Sequence, residues 1–334
     1  MRISQARRRF PRAASLLSFA PFLTLVLAWL AVAPVGRAAS DAADNTPARA
    51  YLIADEKYGH ILAGAHTEDK VQIASLTKIA TAVVAFDWTR LGGHSLDQMV
   101  AIRAATLATS GSNPVGYEAG DELTIRDLLY AVLLQSDNIA AETLADHIGR
   151  SLPRTEDARR EDPPSVHFVA QMNALARKLG MKRTLFLNAT GFDGKEKPYS
   201  TALDLGRLTR HAMSKAEFRF VVAQKERRIT IQRAGQPVGY LLRNTNDLLG
   251  TRNIDGVKTG QTAKAGGCLI ITAAREPIVL KEGDRPSLLQ RRLIVIVLGS
   301  PNRSQVAAGL LERGEALFDA WSQAGRLLEP KTTL

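Results

Sequence analysis

Three hydropathy patterns follow one another along this chain. The first is an apolar run from Leu16 to Val35, interrupted only by Ser18, Pro21, Thr24 and Pro34. Ahead of it stand Arg2, Arg7, Arg8, Arg9 and Arg12 with no acid, and behind it comes the small-residue exit Gly36-Arg37-Ala38. Basic, apolar, small is the order of a secretory signal peptide, read here as residues 1–38. Arg7-Arg8-Arg9-Phe10 also resembles a twin-arginine signal. About 20 apolar residues can span a bilayer, so a retained leader would be a membrane anchor.

The second and third patterns distinguish strands from helices. Residues 39–49 are a polar linker. Ala50–Asp55 reads as a strand and Gly59–Ala63 as its hairpin partner. Leu- and Ala-rich stretches predict helices over Ile73–Trp88, Thr124–Ile148 and Val166–Leu179, with N-caps at Asp121 and Thr124 and stops at Gly149 and Gly180. Ile254–Lys258, Cys268–Ala274 and Leu293–Leu298 are short β-branched runs. Ser304–Trp321 closes as an amphipathic helix. Leu152–Ser165 and Glu276–Arg292 read as excursions. Strands, helices, strands and a last helix make an α+β arrangement. The outer strands share one antiparallel sheet, the middle forms a helical lobe, and the cleft between them is a natural ligand site.

Composition narrows the class. The 334 residues are 45% hydrophobic and 23% charged, which excludes disorder and collagen. One cysteine, Cys268, makes neither an internal disulfide nor a CxxC zinc site. The net charge of +11 invites a nucleic-acid partner, but six arginines and no acid lie in residues 1–38. The remainder holds 38 basic and 33 acidic residues, a net +5 with no nucleic-acid motif behind it.

Three motifs carry chemistry. Ser75-Leu76-Thr77-Lys78 lies in a helix that is apolar nearly all round, so Lys78 is buried and inclined to lose its proton. Residues i and i+3 share a helix face, which sets a nucleophile beside a base. Ser136-Asp137-Asn138 ends the apolar run Leu128–Leu134, where polar side chains need partners. Lys258-Thr259-Gly260 ends a strand; the glycine admits another backbone, and the lysine attracts a carboxylate and helps keep Lys78 neutral. Singly, these read as a helix start with a snorkelling lysine, a cap and a hairpin end. Ser300-Pro301-Asn302 shows how cheap a second SxN is.

In that order and spacing, SxxK, SxN and KTG are the set found in penicillin-binding proteins and serine β-lactamases. From about Ala50 to Ser300 the chain resembles the low-molecular-mass penicillin-binding proteins of the D-alanyl-D-alanine carboxypeptidase family. Ser136-Asp137-Asn138-Ile139-Ala140-Ala141, Asp255–Thr262 with Ala265-Gly266-Gly267, and Asn188-Ala189-Thr190-Gly191-Phe192 all look like its blocks. The resemblance implies a β-lactamase/transpeptidase-like fold: an antiparallel five-stranded sheet flanked by helices, plus a helical lobe. It also implies a catalytic domain over residues 50–325 with a tail at 326–334.

The implied activity is that of a serine-type D-Ala-D-Ala carboxypeptidase on peptidoglycan stem peptides, in the periplasm or on the outer face of the cytoplasmic membrane. Catalytic residues are Ser75, Lys78 and Ser136. Substrate-binding residues are Asn138, Lys258, Thr259, Gly260, Gln261 and Thr262. No metal or cofactor is called for, and β-lactams are covalent inhibitors. Some relatives carry Asn-Arg-Asn ahead of KTG, the arginine lying near the substrate carboxylate. Here Arg243-Asn244-Thr245-Asn246 puts threonine there, which leaves room for a DD-endopeptidase. A penicillin-binding wall protein without turnover is a further alternative. A class A β-lactamase is disfavoured, since no Glu-x-x-Leu-Asn lies between the second and third blocks.

Overall fold

Two apolar runs explain the centre of the molecule. In Ala50–Asp55 (β1) every residue is buried, and Leu293–Leu298 is buried throughout. A strand covered on one face alternates; a strand covered on both reads as a continuous apolar run. The computed structural model describes residues 45–152, 162–194, 197–282, 285–326 and 332–334. The leader, most of the linker and part of the first excursion lie outside the described residues.

The main sheet has five antiparallel strands in the order β2-β1-β9-β8-β7. These are β1, β2 (Ile61–Ala65), β7 (Ile254–Thr262), β8 (Gly266–Glu282) and β9 (Arg285–Ser300). Leu52 lies opposite Ile296, and Lys258 opposite Ile270. The period of two sorts the side chains. Tyr51, Ile53, Leu269, Ile271, Val295 and Val297 pack against α8 (Arg303–Gln323) through Val306, Leu310, Leu311 and Phe318. Leu52, Ala54, Ile270, Ile294 and Ile296 face the helical lobe. The expected α+β architecture is the observed one.

The lobe holds α1 (Lys78–Thr89), α2 (Ala104–Thr109), α3 (Ile125–Tyr130), α4 (Asn138–Gly149), α5 (Pro164–Lys178), α6 (Ala202–Met213) and α7 (Ala216–Val222). Three features depart from the sequence expectations. The long helix over Thr124–Ile148 is broken. Thr124 caps α3 as expected, by accepting from Asp127 N. A π-type turn, Ala131–Gln135, then ends at Ser136 in the left-handed region (φ 64°), and Asp137 restarts the chain as the N-cap of α4, accepting from Ala140 N. Asp and Ser compete for backbone groups in this way, so they interrupt helices they do not cap.

Second, a four-stranded sheet was not expected: β3 (Met99–Ala101), β4 (Glu122–Thr124), β5 (Glu226–Arg233) and β6 (Gln236–Arg243). Asp121 starts no helix; it binds Arg233 of β5 at 2.7 Å and ties this sheet together. Third, the excursion Glu276–Arg292 continues β8 and β9 as one long hairpin, paired as far as Glu282 opposite Arg285. Arg275 and Arg291 hold its base to Asp319 of α8 at 2.9 and 2.8 Å. Among the described residues no helix is long and apolar enough to cross a membrane.

Candidate active site

Ser75 and Lys78 do not share a regular helix. Ala74–Thr77 is a 3₁₀ turn, entered through Ala74 at φ 48°, and the α-helix begins at Lys78. Three residues per turn eclipse i and i+3, which stacks the two side chains. Lys78 Nζ lies 3.1 Å from Ser75 Oγ. Ile79–Phe86 of α1 is buried throughout, and Lys78 is itself fully buried.

Lys78 Nζ has two further neighbours, Asn138 Oδ1 at 2.7 Å and the Thr190 carbonyl at 2.8 Å. Both can only accept. A neutral amine has two N–H donors and one lone pair, so it donates to these oxygens and accepts from the Ser75 hydroxyl. Burial pushes Lys78 down to about 7, against the opposing charges of Asp137 and Glu142. Asn138 is oriented by its own amide, which donates to Ser110 O at 3.4 Å. Asp137 spends one oxygen on the α4 cap; its other oxygen is buried with no hydrogen-bond partner among the described residues.

The third block forms the opposite wall. Lys258 is fully buried and donates to Thr259 O at 3.0 Å. Burial, then the nearby Lys78 and Arg303, push it well below its ordinary value. The sequence suggested a charged Lys258 that helps keep Lys78 neutral; in the structure Lys258 is itself buried and pushed toward its neutral form, in part by the Lys78 charge. Thr259 Oγ1 meets Thr245 Oγ1 at 2.6 Å, and Thr245 N donates to Leu134 O at 3.0 Å. Thr245 therefore links KTG to the segment before Ser136, whereas Arg243 ends β6 opposite Glu226.

Gly260 lies against the serine turn, and its carbonyl accepts from Arg303 Nη1 at 2.8 Å. Gln261 is exposed, with Oε1 at 3.5 Å from the same guanidinium. Gln261, Gly267, Asn302 and Arg303 wall a cavity of about 370 Å³ at this end of β7. Two expected residues make no hydrogen bond to the serine–lysine pair. Ser136 is half-buried, and its hydroxyl makes no hydrogen bond with Ser75, Lys78 or Lys258. Thr262 Oγ1 accepts from Ala265 N at 3.1 Å and so serves the β7–β8 turn. Thr190, Thr245 and Arg303 belong to the site but were not among its expected residues. Thr190 lay in a recognised block, and Thr245 at the position where some relatives carry arginine; Arg303 lay in neither.

A five-stranded antiparallel sheet, a helical lobe and a serine–lysine pair at their junction define an enzyme class built on the DD-transpeptidase fold. Solved structures agree. The Streptomyces K15 DD-transpeptidase superposes with a TM-score of 0.68 at 28% identity, over 81% of this chain and 97% of that one. Penicillin-binding protein D2 from Listeria monocytogenes, in its cefotaxime-bound form, gives a TM-score of 0.61 at 27% identity, over 81% and 96%. The chain belongs to the D-alanyl-D-alanine carboxypeptidase family Peptidase_S11, whose model matches residues 37–281.

Among curated proteins, D-alanyl-D-alanine carboxypeptidase DacC of Escherichia coli (strain K12) is 31% identical over 77% of this chain. DacD of Salmonella typhimurium is 32% identical over 81%. The chain spans 58% and 63% of the length of these two relatives. The D-alanyl-D-alanine endopeptidase of Pseudomonas aeruginosa is 31% identical over 69% of this chain and 68% of its own length.

Proposed function

We propose that the protein is an exported serine-type D-Ala-D-Ala carboxypeptidase that trims peptidoglycan stem peptides and is acylated by β-lactams. The observation that carries this is the fully buried Lys78 at 3.1 Å from Ser75 Oγ, with its other two neighbours both acceptors. Ser75 Oγ attacks the carbonyl carbon between the two D-alanines and passes its proton to Lys78 Nζ. The N–H groups of Ser75 and Gln261 hold the oxyanion, each worth about 3 kcal/mol in such sites. The C–N bond then breaks. Ser136 relays the proton from Lys78 to the departing D-alanine amine, leaving an ester on Ser75. Water hydrolyses that ester and restores the enzyme. In a β-lactam the broken C–N bond leaves the amine tethered to the acyl group, so deacylation is slow.

Substrate lies along β7, held by Lys258, Thr259, Gly260, Gln261 and Thr262, with Asn138 on the substrate amide and on Lys78. A carboxylate arriving beside Thr259 favours the charged form of Lys258 and so stabilises its own bound state. Residues 1–38 act as the export leader, 39–49 as a linker and 50–325 as the catalytic domain, followed by a tail at 326–334. The site of action is the periplasm or the outer face of the cytoplasmic membrane, with membrane attachment only where the leader is retained.

Fluorescent penicillin tests the reading. Covalent labelling of the purified protein that disappears in Ser75→Ala, with free D-alanine released from a pentapeptide, is the expected result. No labelling of the wild-type protein overturns it. A second reading, a DD-endopeptidase on cross-linked peptides, is favoured by Thr245 at the arginine position and by the Pseudomonas aeruginosa endopeptidase among the relatives. Labelling without D-alanine release, but with cleavage of cross-linked dimers, selects that reading.

A further inference from the structure

Along β7 from Lys258, past the place where Gly260 meets the serine turn, the two walls of the cleft join again. One wall is β7, which lies at the edge of its sheet with one side unpaired. The other is the segment 191–194, which follows the Thr190 carbonyl that binds Lys78. Gly260 and Gly191 each abut the backbone of the serine turn. Further out, Lys264 Nζ of the β7–β8 turn donates to Gly194 O at 3.3 Å, from one wall to the other. The serine turn, residues 191–194, Lys264 and β7 therefore form a closed ring of contacts.

The parts of this ring are held in place. Arg49 Nη1 donates to Lys264 O at 2.9 Å. Phe192 N donates to Thr190 Oγ1, and Phe192 O accepts from Asn188 Nδ2, both at 3.1 Å. The Phe192 side chain is nonetheless 60% exposed. An exposed aromatic ring on a fixed backbone is preorganised for a ligand. Lys264 is exposed too, and among the described residues its Nζ meets only the neutral Gly194 carbonyl. Arg49 is the other cation here, and Asp193, whose Oδ1 is buried, is the acid.

We infer that this ring is the subsite for the acyl arm of the substrate, with Phe192 as its apolar wall and Lys264 as its charge. It selects a peptide whose residue before the two D-alanines ends its methylene side chain in a free carboxylate. The inference rests on the carboxypeptidase reading above, in which the terminal carboxylate lies beside Thr259 and the attacked carbonyl beside the Gln261 N–H. The peptide then continues along the open edge of β7 past Thr262. A strand advances about 3.3 Å per residue, so Lys264 stands up to about 10 Å beyond the attacked carbonyl, within reach of the residue before the D-alanines. A carboxylate is a stronger acceptor for Nζ than the Gly194 carbonyl it would replace. Diaminopimelate has such a side chain, ending in an ammonium and a carboxylate. Lysine ends in an ammonium alone, which Lys264 repels.

The test is kcat/KM for D-alanine release from two pentapeptides that differ only in their third residue, diaminopimelate or lysine. It compares wild type, Lys264→Gln, Lys264→Glu, Phe192→Ala and Lys182→Gln. Wild type is expected to favour the diaminopimelate peptide about threefold or more, Lys264→Gln to bring the ratio near one, and Lys264→Glu to invert it. The preference should shrink at high salt. Phe192→Ala is expected to lower both values about fivefold and keep the ratio. Lys182, exposed and outside the ring, reports net charge alone, and its variant is expected to keep the wild-type ratio. Equal wild-type rates on the two peptides, or a ratio that persists in both Lys264 variants, overturn the inference. So do a ratio moved equally by Lys182→Gln and unchanged rates in Phe192→Ala. Should the protein be acylated by penicillin yet release no D-alanine, two benzylpenicillin analogues bearing a carboxylate or an amine on the side chain replace the peptides. The ratio of their acylation rates is then expected to follow Lys264 in the same way, and a ratio indifferent to Lys264 overturns the inference. Absence of acylation by any penicillin overturns the functional reading instead, which keeps the two failures apart.

Discussion

Gly260 of β7 abuts the backbone of Ser75: a Cβ on Gly260 would stand 3.0 Å from Ser75 N and 3.0 Å from Ile73 O. Both neighbours are main-chain atoms of the 3₁₀ turn, so the contact cannot be relieved by a side chain swinging aside. Gly260→Ala is expected to push β7 and the turn apart by a few tenths of an ångström. A change of that size in a preorganised site costs about ten- to a hundredfold in acylation rate. The overpacking itself costs about 1–3 kcal/mol. Stopped-flow acylation and thermal unfolding of the same variant separate the two effects. Unchanged acylation in a folded variant would show that this contact does not position Ser75.

The three neighbours of Lys78 Nζ predict a pH dependence with a definite sign. Burial lowers the lysine to about 7. Below that pH it is an ammonium and cannot take the serine proton; above it, it is neutral and can. The acylation rate should therefore rise about tenfold per pH unit on the acid side and level off above about pH 7. Lys78→Arg, which stays charged at every accessible pH, should lose acylation across the whole range. A flat wild-type profile between pH 5 and 9 would remove Lys78 as the base.

How legible all this was depended on which physical signal each element carries. β1 and the buried half of β9 were plain because both faces are covered, and Tyr51–Ala54 and Ile294–Leu298 leave no polar gap. The second sheet was not. Ile229 and Ile231 are the buried apolar pair of β5, set among arginines and other polar residues, while β3 and β4 are three residues each. The break at Ser136 was half legible: Ser136-Asp137-Asn138 ends an apolar run and by itself reads as a cap, but the apolar pattern resumes at Ile139, so the helix looked continuous, and the left-handed serine is what places the break. In the site, the spacing of Ser75 and Lys78 was readable because it is local. Thr190, Thr245 and Arg303 reach it across 112, 111 and 43 residues of chain to their partners Lys78, Leu134 and Gly260, and no local pattern encodes such a meeting.

Thr245 offers a specificity test. Its hydroxyl touches Thr259 at 2.6 Å, at the position where some relatives carry arginine. Thr245→Arg would place a guanidinium beside the KTG strand, where a free terminal carboxylate could pair with it in a bidentate fashion. The expected outcome is a gain of about tenfold or more in D-alanine release from a pentapeptide relative to cleavage of a cross-linked dimer. The measurement is the ratio of kcat/KM values for the two substrates, compared with wild type and with Thr245→Val, which lacks the hydroxyl. An unchanged ratio would mean that the terminal carboxylate is read elsewhere, and Arg303 beside Gln261 would be the next residue to substitute.

Gly191 sets how closely the lysine-binding segment can approach the serine turn. It has φ 76°, and a Cβ there would lie 1.9 Å from Ala74 O and 2.7 Å from Thr77 Oγ1. The glycine is required twice, by its left-handed backbone and by the lack of space. Its neighbour Thr190 supplies the carbonyl that accepts from Lys78 at 2.8 Å. Gly191→Ala must displace that carbonyl, the Ala74 turn or both. A loss of about 3 kcal/mol or more in unfolding free energy is expected, because strain and overpacking add. Gly180→Ala makes the comparison. It is also left-handed (φ 70°) but has open space around it, so it carries only the backbone cost of about 1–2 kcal/mol. Urea unfolding of the two variants measures the difference. Equal losses would show that the close approach to Ala74 contributes nothing, and that the lysine-binding segment is placed by Asn188 and Thr81 instead.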